Sequence, residues 1–146
     1  MDFEKLDLED FKKLKVLIKD YKNSIGENTP TDEEFNKLKL AIKDNLISFY
    51  VAKKSGDLIA MCSVCEVYST FNFSKSGIFE DFYVSPDFRK IGLARQLTSF
   101  VFLQCKLQGI KSLWVGCADV DIDMYKSLGF EIPLGNLLTW SCDSNF

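Results

Sequence analysis

The chain contains no histidine among its 146 residues. Any proton transfer must therefore run through Glu, Asp, Tyr, Lys, Cys or water, which excludes histidine-based triads and histidine metal sites. No apolar run approaches the roughly 20 residues that cross a bilayer, and the N-terminal MDFEKLDLED lacks the apolar segment of a signal peptide. A cytoplasmic protein with no membrane partner is expected. Neither GxxxxGK[ST] nor GxGxxG occurs, so nucleotide triphosphatases and dinucleotide-binding dehydrogenases do not fit. Blocks of one charge are also missing: 18 basic and 21 acidic residues are interspersed, with net charge -3 and pI near 5.0. That balance argues against an electrostatic grip on nucleic acid and suits a cationic substrate better.

Five cysteines, an odd number, fall mostly within predicted strands and helices, as reduced thiols would. Cys62 and Cys65 form a CxxC, but in a strand they point to opposite faces, and no second pair completes a zinc site. No metal is expected. Apolar residues at 47% and charged residues at 27% are ordinary for a globular protein and leave disordered and fibrous classes aside. The length fits one domain over residues 1–146.

Periodicity orders the elements. A short strand near Phe3 to Leu6 precedes a helix capped by Asp7, with Phe11, Leu14, Ile18 and Tyr21 inward and lysines on the solvated face. After the loop NSIGENTP, Thr31 and Glu34 form a capping box for a second helix, inward at Phe35, Leu38, Ala41 and Ile42 and ending near Asn45. Three strands follow as an antiparallel meander: Ile47 to Ala52, Leu58 to about Tyr68, and Ile78 to Val84. A helix from about Gly92 to Gln108 is inward at Leu93, Leu97, Phe100 and Val101 and is stopped by Gly109. A strand at Ser112 to Cys117 and a helix from about Val120 to Leu128, closed by Gly129, come next. Two final strands are expected at Phe130 to Ile132 and Leu137 to Ser141. The order gives an α/β fold with a mixed sheet between helices.

The most informative segment is IFEDFYVSPDFRKIGLARQL, Ile78 to Leu97, an apolar strand joined to a helix through a turn ending in RKIGLA. Gly92 and Ala94 let the backbone approach a ligand, the helix start offers unpaired N–H groups at its positive end, and Arg89, Lys90 and Arg95 add charge. Such a turn can hold a phosphate. Read alone, it is equally compatible with an ordinary strand, turn and amphipathic helix.

The segment resembles motif A of the GNAT superfamily of acetyl-CoA-dependent N-acetyltransferases, where [I/L]xDLYVxP leads into [R/Q]xxGx[G/A]; here these are Phe79 to Pro86, then Arg89, Gly92 and Ala94. MYKSLGF, Met124 to Phe130, is similar to the family's [L/F]YxxxGF. The resemblance implies a mixed, mostly antiparallel sheet with helices on both faces, and acetyl-CoA as co-substrate. It also implies diphosphate binding across Arg89, Lys90, Ile91, Gly92, Leu93, Ala94 and Arg95. The strand ending at Val84 and the one starting near Ser112 would splay apart around the pantetheine arm. A bulge would free the amides of Phe82, Tyr83 and Val84, the first two for pantetheine and Val84 also for the oxyanion. Homodimers are frequent in the family.

Acetyl transfer to an alkyl amine needs a neutral nucleophile, and stripping the proton from a group of pKa about 10.4 at neutral pH costs roughly 4 to 5 kcal/mol. Glu80 is the candidate base. Strand alternation sets it on a face with Ile78, Phe82 and Val84, where an unpaired carboxylate is costly; solvation at the sheet edge or pairing with a Lys or Arg is the alternative. FEDFYV is similar to the diamine and polyamine branch of the family, in which the matching Glu is the base acting through water and the adjacent Asp, here Asp81, helps bind the cationic substrate. Tyr125 matches the family's general acid for the coenzyme A thiolate. A phenol at about 10 giving its proton to a thiol at about 8.5 goes uphill by roughly 2 kcal/mol, so Tyr125 either has a lowered pKa or only hydrogen-bonds the sulfur.

The sequence departs from the family where Lys90 and Ile91 follow Arg89 and where ADVDIDMY precedes the last helix; Asp119 would stand in for the family's Asn. Asp119, Asp121 and Asp123 read as a cap plus exposed faces, not a metal cluster. The expected activity is acetyl transfer to a primary amine of a small molecule such as a polyamine. The alternatives are acetylation of a protein N-terminus or lysine, and a GNAT fold that binds acyl-CoA as a sensor without turnover.

Overall fold

The computed structural model describes residues 1–70, 72–131, 135 and 137–142. Its strands are β1 (Asp2–Lys5), β2 (Ser48–Lys54), β3 (Asp57–Ser69), β4 (Ser74–Val84) and β5 (Ile110–Trp114), and its helices are α1 (Phe11–Ser24), α2 (Asp32–Lys43), α3 (Leu93–Leu107) and α4 (Ile122–Leu128). The strands lie side by side in chain order, antiparallel except for the parallel β4–β5 pair. A parallel neighbour needs a crossover, and α3 supplies it.

Local chemistry explains the first two helices. Asp7 caps a short 3-10 turn, Leu8–Asp10, that leads into α1: its Oδ1 accepts from the Glu9 N–H at 2.9 Å. The Thr31 hydroxyl oxygen accepts from the Glu34 N–H at 3.1 Å, and Glu34 Oε1 accepts from the Thr31 N–H at 3.0 Å, which is the reciprocal box that starts α2. Strand alternation then sorts the core. Phe49, Val51, Met61 and Tyr83 face one side and pack with Leu14, Leu17, Ile18 and Phe35 of α1 and α2. Tyr50, Cys62, Val64 and Phe79 face the other and pack with Leu93, Leu97, Val101 and Cys105 of α3. Both layers are apolar and nearly water-free, and each large side chain so buried contributes roughly 1.5–3 kcal/mol.

Two irregularities shape β4. Met61 pairs with Tyr83 but Ser63 pairs with Glu80, so Cys62 opposes both Asp81 and Phe82, a β-bulge with Asp81 at φ +55°. The extra residue overturns the expected face for Glu80. Alternation keeps Glu80 with Ile78, but Phe82 and Val84 belong to the α3 side, whereas Glu80, opposite Ser63, is exposed on the α1/α2 side. The second irregularity is that β5 pairs with β4 only from Lys75 to Ile78, where Ile78 meets Trp114. Residues 79–84 have no strand partner on that side, so a wedge opens there.

The expected C-terminal strands are not formed by the described residues. Leu137 to Ser141 carry no strand, with Leu137, Leu138 and Trp140 at 90, 92 and 84% exposure, so no face covers their apolar side chains. Phe130 and Glu131 are likewise outside any strand, Phe130 being drawn into a ring cluster with Phe79, Phe102 and Tyr125. Ile132 lies outside the described residues.

Gly77 sits where β4 and β5 still pair. A Cβ there would lie 2.7 Å from Leu113 Cδ2 and 2.9 Å from Val64 Cγ1. Gly77→Ala is expected to cost about 1–3 kcal/mol through overpacking, read as a lowered midpoint in thermal denaturation. Gly116→Ala, where a Cβ would meet nothing within 4 Å, should stay within about 0.5 kcal/mol of the parent.

Candidate active site

The strand-to-helix turn is open. Beyond Val84 the Ser85 N–H donates to the Ile59 carbonyl at 2.9 Å, a 3-10 turn (Pro86–Phe88) reverses the chain, and Gly92 (φ +84°, ψ 7°) caps α3 with no side-chain acceptor. Gln96 donates to the Gly92 carbonyl at 3.1 Å, so the amides of Leu93, Ala94 and Arg95 precede the helix ladder and have no partner within it. Lys90 is also left-handed, at φ +64°, a conformation that strains a non-glycine residue. Arg89, Lys90, Ile91, Gly92 and Arg95 are exposed, while Leu93 is buried as the anchor of the helix start. The first turn of α3 holds no acid. A Cβ on Gly92 would meet nothing within 4 Å, and the free amides and positive dipole end of α3 lie beside the exposed Lys90 and Arg95.

Arg89 is turned back onto β4. Its Nε–H donates to the Val84 carbonyl at 2.8 Å, and its guanidinium lies 5.4 Å from the centre of the Tyr83 ring. Because the Ser85 amide bonds to β3, antiparallel alternation turns Tyr83 toward Met61 and the Val84 N–H and C=O toward the wedge. Of the strand-end amides expected to serve a ligand, that of Tyr83 is therefore directed into the sheet.

Across the wedge stands Tyr125 on α4, half-buried, with ring centres 6.2 Å from Phe82 and 5.7 Å from Phe130. Its hydroxyl has no hydrogen-bond partner among the described residues. Burial, reinforced by Tyr21, Asp121, Cys117 and Cys62, pushes its pKa up to about 12. A lowered pKa was one of two options left by the sequence, and in the free protein the shift goes the other way.

On the α1/α2 face the Ser63 hydroxyl, 1% exposed, donates to Asp81 Oδ2 at 2.6 Å. Asp81 lines a cavity of about 200 Å³ with Lys22, Glu34, Phe35, Leu38 and Phe49 among its walls. A larger depression of about 470 Å³ around the α1–α2 loop shares Lys22, Pro30 and Glu34 with it but does not reach the wedge. Lys22 is held by Glu27, Nζ to Oε2 at 2.8 Å. The sequence missed Tyr21 as a site residue and gave it only a place in the α1 stripe. Its ring meets Tyr83 at 5.8 Å, and its pKa is raised by burial, then by Asp81, with Glu27 and Glu80 adding and Lys22 opposing. A tyrosine at helical spacing carries no mark that separates this role from packing.

Asp119 is exposed in a 3-10 turn (Asp119–Asp121) ahead of α4, away from any bonded partner among the described residues. The expected cap is not made: neither the turn nor α4 has a side-chain cap, and Asp121 and Asp123 are exposed as well. No group of three acidic or cysteine side chains arranged to hold a metal occurs among the described residues. No helix there is long and apolar enough to cross a membrane.

A family model for the acetyltransferase (GNAT) domain matches residues 45–132, more than half of the chain. Among solved structures, a "probable acetyltransferase" superposes with TM-score 0.88 at 18% identity, covering 99% of this chain and 100% of its own. A predicted acetyltransferase from Clostridium acetobutylicum, crystallised with acetyl-CoA, gives 0.77 at 19% identity and 94% coverage of both chains. Glucosamine-6-phosphate N-acetyltransferase from Arabidopsis thaliana gives 0.76 at 23% identity, covering 97% of this chain and 98% of its own. At these identities the likeness concerns the fold. No curated protein matches the sequence.

The raised pKa of Tyr125 has a consequence for stability. Folding disfavours the phenolate, so this contribution is full below the unfolded value of about 10 and is lost as pH rises through about 12. Denaturant midpoints of the parent and Tyr125→Phe should therefore keep a constant difference below pH 10, and the parent should lose ground above it. A difference that stays flat to pH 12 would contradict the shift.

Proposed function

The chain belongs to the GNAT family of acetyl-CoA-dependent acetyltransferases, and from that premise we propose that it passes acetyl directly to a primary amine of a small molecule in a ternary complex, with residues 1–146 acting as one domain. What supports this reading is the family match over residues 45–132 together with the exposed turn before α3, where the amides of Leu93, Ala94 and Arg95 precede the helix ladder.

In this reading the amides from Lys90 to Arg95 hold the diphosphate, with Lys90 and Arg95 supplying charge; the side chain of Leu93 packs inward and contributes only its N–H. The wedge beside Phe82 takes the pantetheine arm. The Val84 N–H donates to the acyl oxygen as charge builds there, a fixed dipole that needs no reorganisation during the reaction. The amine enters from the α1/α2 face past Asp81. Water carries one proton of the ammonium to Glu80, the freed nitrogen bonds to the acyl carbon, and as the carbon–sulfur bond breaks to release the thiolate the second proton leaves the nitrogen through the same water to solvent. Proton transfer from an ordinary phenol to that thiolate is already uphill by about 2 kcal/mol, and the raised pKa of Tyr125 steepens it. Tyr125 therefore serves the sulfur as a hydrogen-bond donor that stays protonated.

A polyamine is the acceptor favoured by the side-by-side carboxylates Glu80 and Asp81 next to a cavity with aromatic walls. Asp119 stands where the family has an Asn at the cofactor, and its side chain is exposed.

Release of free thiol from acetyl-CoA across a panel of polyamines, aminoglycosides, amino acids and peptides tests the proposal. Turnover with a polyamine is expected, with Tyr125→Phe and Glu80→Gln each lowering kcat by about 10²-fold. If both variants turn over like the parent, the mechanism is wrong. Tight acetyl-CoA binding without thiol release from any acceptor would instead identify a sensor.

A further inference from the structure

Arg89 occupies a turn full of positive charge, yet both of its contacts lead away from that turn. The Nε–H donates to the Val84 carbonyl at 2.8 Å, and the guanidinium covers the ring of Tyr83 at 5.4 Å. Tyr83 is buried and braced by Tyr21 at 5.8 Å, so the surface under the guanidinium is fixed. Tyr83 and Val84 are the last two residues of β4.

The Val84 carbonyl and the Ser85 N–H belong to one planar peptide unit. The Ser85 N–H donates to Ile59 on one side, at 2.9 Å, and Arg89 holds the carbonyl on the other. That unit is therefore pinned from both sides, just beyond the point where the β3–β4 ladder ends and where β5 gives no support. Lys90 and Arg95 remain exposed with no ion pair among the described residues, so the turn keeps two cations for a diphosphate without Arg89. We propose that Arg89 is a positioning residue that acts through the Val84 peptide, holding the strand end that faces the acyl group, and is not a charge on the diphosphate. The inference rests on the role given to Val84 above.

Two variants separate these roles, since Arg89→Gln keeps an N–H donor but no charge and Arg89→Met keeps neither. At saturating acetyl-CoA, Arg89→Met should lose about tenfold in kcat while Arg89→Gln stays within about threefold. The dissociation constant of coenzyme A, measured by calorimetry, should change less than about threefold in both. Hydrogen exchange at the Ser85 amide should be about tenfold faster in Arg89→Met and near parental in Arg89→Gln. The proposal is overturned if both variants keep kcat and weaken coenzyme A binding equally, or if Ser85 exchange is unchanged in Arg89→Met. Should the parent release no thiol with any amine, the proposed function fails by itself, and Ser85 exchange still decides the role of Arg89.

Discussion

One extra residue in β4 governs the layout of the site. Without the bulge opposite Cys62, strict alternation would set Glu80, Phe82 and Val84 on one face and Asp81 and Tyr83 on the other. With it, the carboxylates of Glu80 and Asp81 belong to the α1/α2 side, while Phe82 and Val84 belong to the α3/α4 side with Tyr125. The strained backbone at Asp81 is held by the Ser63 hydroxyl and by the ladder on either side. A strand that would otherwise be only a core element thus divides acidic groups from the opening where a thioester would sit.

The parting of β4 and β5 is the complement of that constraint. Gly77 lets the two strands approach closely where they pair, with Leu113 and Val64 packed over it, and the pairing ends one residue later at Ile78. From there β5 stops at Trp114 and β4 runs on without a strand partner, while on the α3 side Phe79 packs against Phe82 and Phe130 and Tyr125 against Phe82. Tyr125, half-buried, packs against Phe82 and Phe130.

Much of this was legible in the sequence because it is written in local chemistry. The Thr31–Glu34 box, the αL glycine at 92, the glycine stops at 109 and 129 and the meander order all follow from residues close together in the chain. The family resemblance implies the bulge, but the facing of Glu80 is not legible, because alternation counted along one strand cannot register an insertion measured against its neighbour. β5 begins two residues before the expected Ser112 and ends at Trp114, since its limits are set by pairing with β4 and not by its own composition. Leu137 to Ser141 has strand-like composition, yet the described residues find no partner edge. Tyr21 and Ser63 belong to the same category, ordinary in sequence and significant only through what lies across the sheet.

The absence of histidine then has a structural counterpart. A site with histidine can hold acid and base in one side chain; here the titratable groups are the carboxylates Glu80 and Asp81 and the phenol of Tyr21 on the α1/α2 side, and the phenol of Tyr125 on the other. Both phenols are driven toward the neutral form. Tyr125 is pushed up mainly by burial, and Tyr21 by burial followed by the nearby Asp81 carboxylate. The carboxylates Asp81 and Glu80 disfavour a phenolate at Tyr21 on their own face, whereas at Tyr125 burial does most of this.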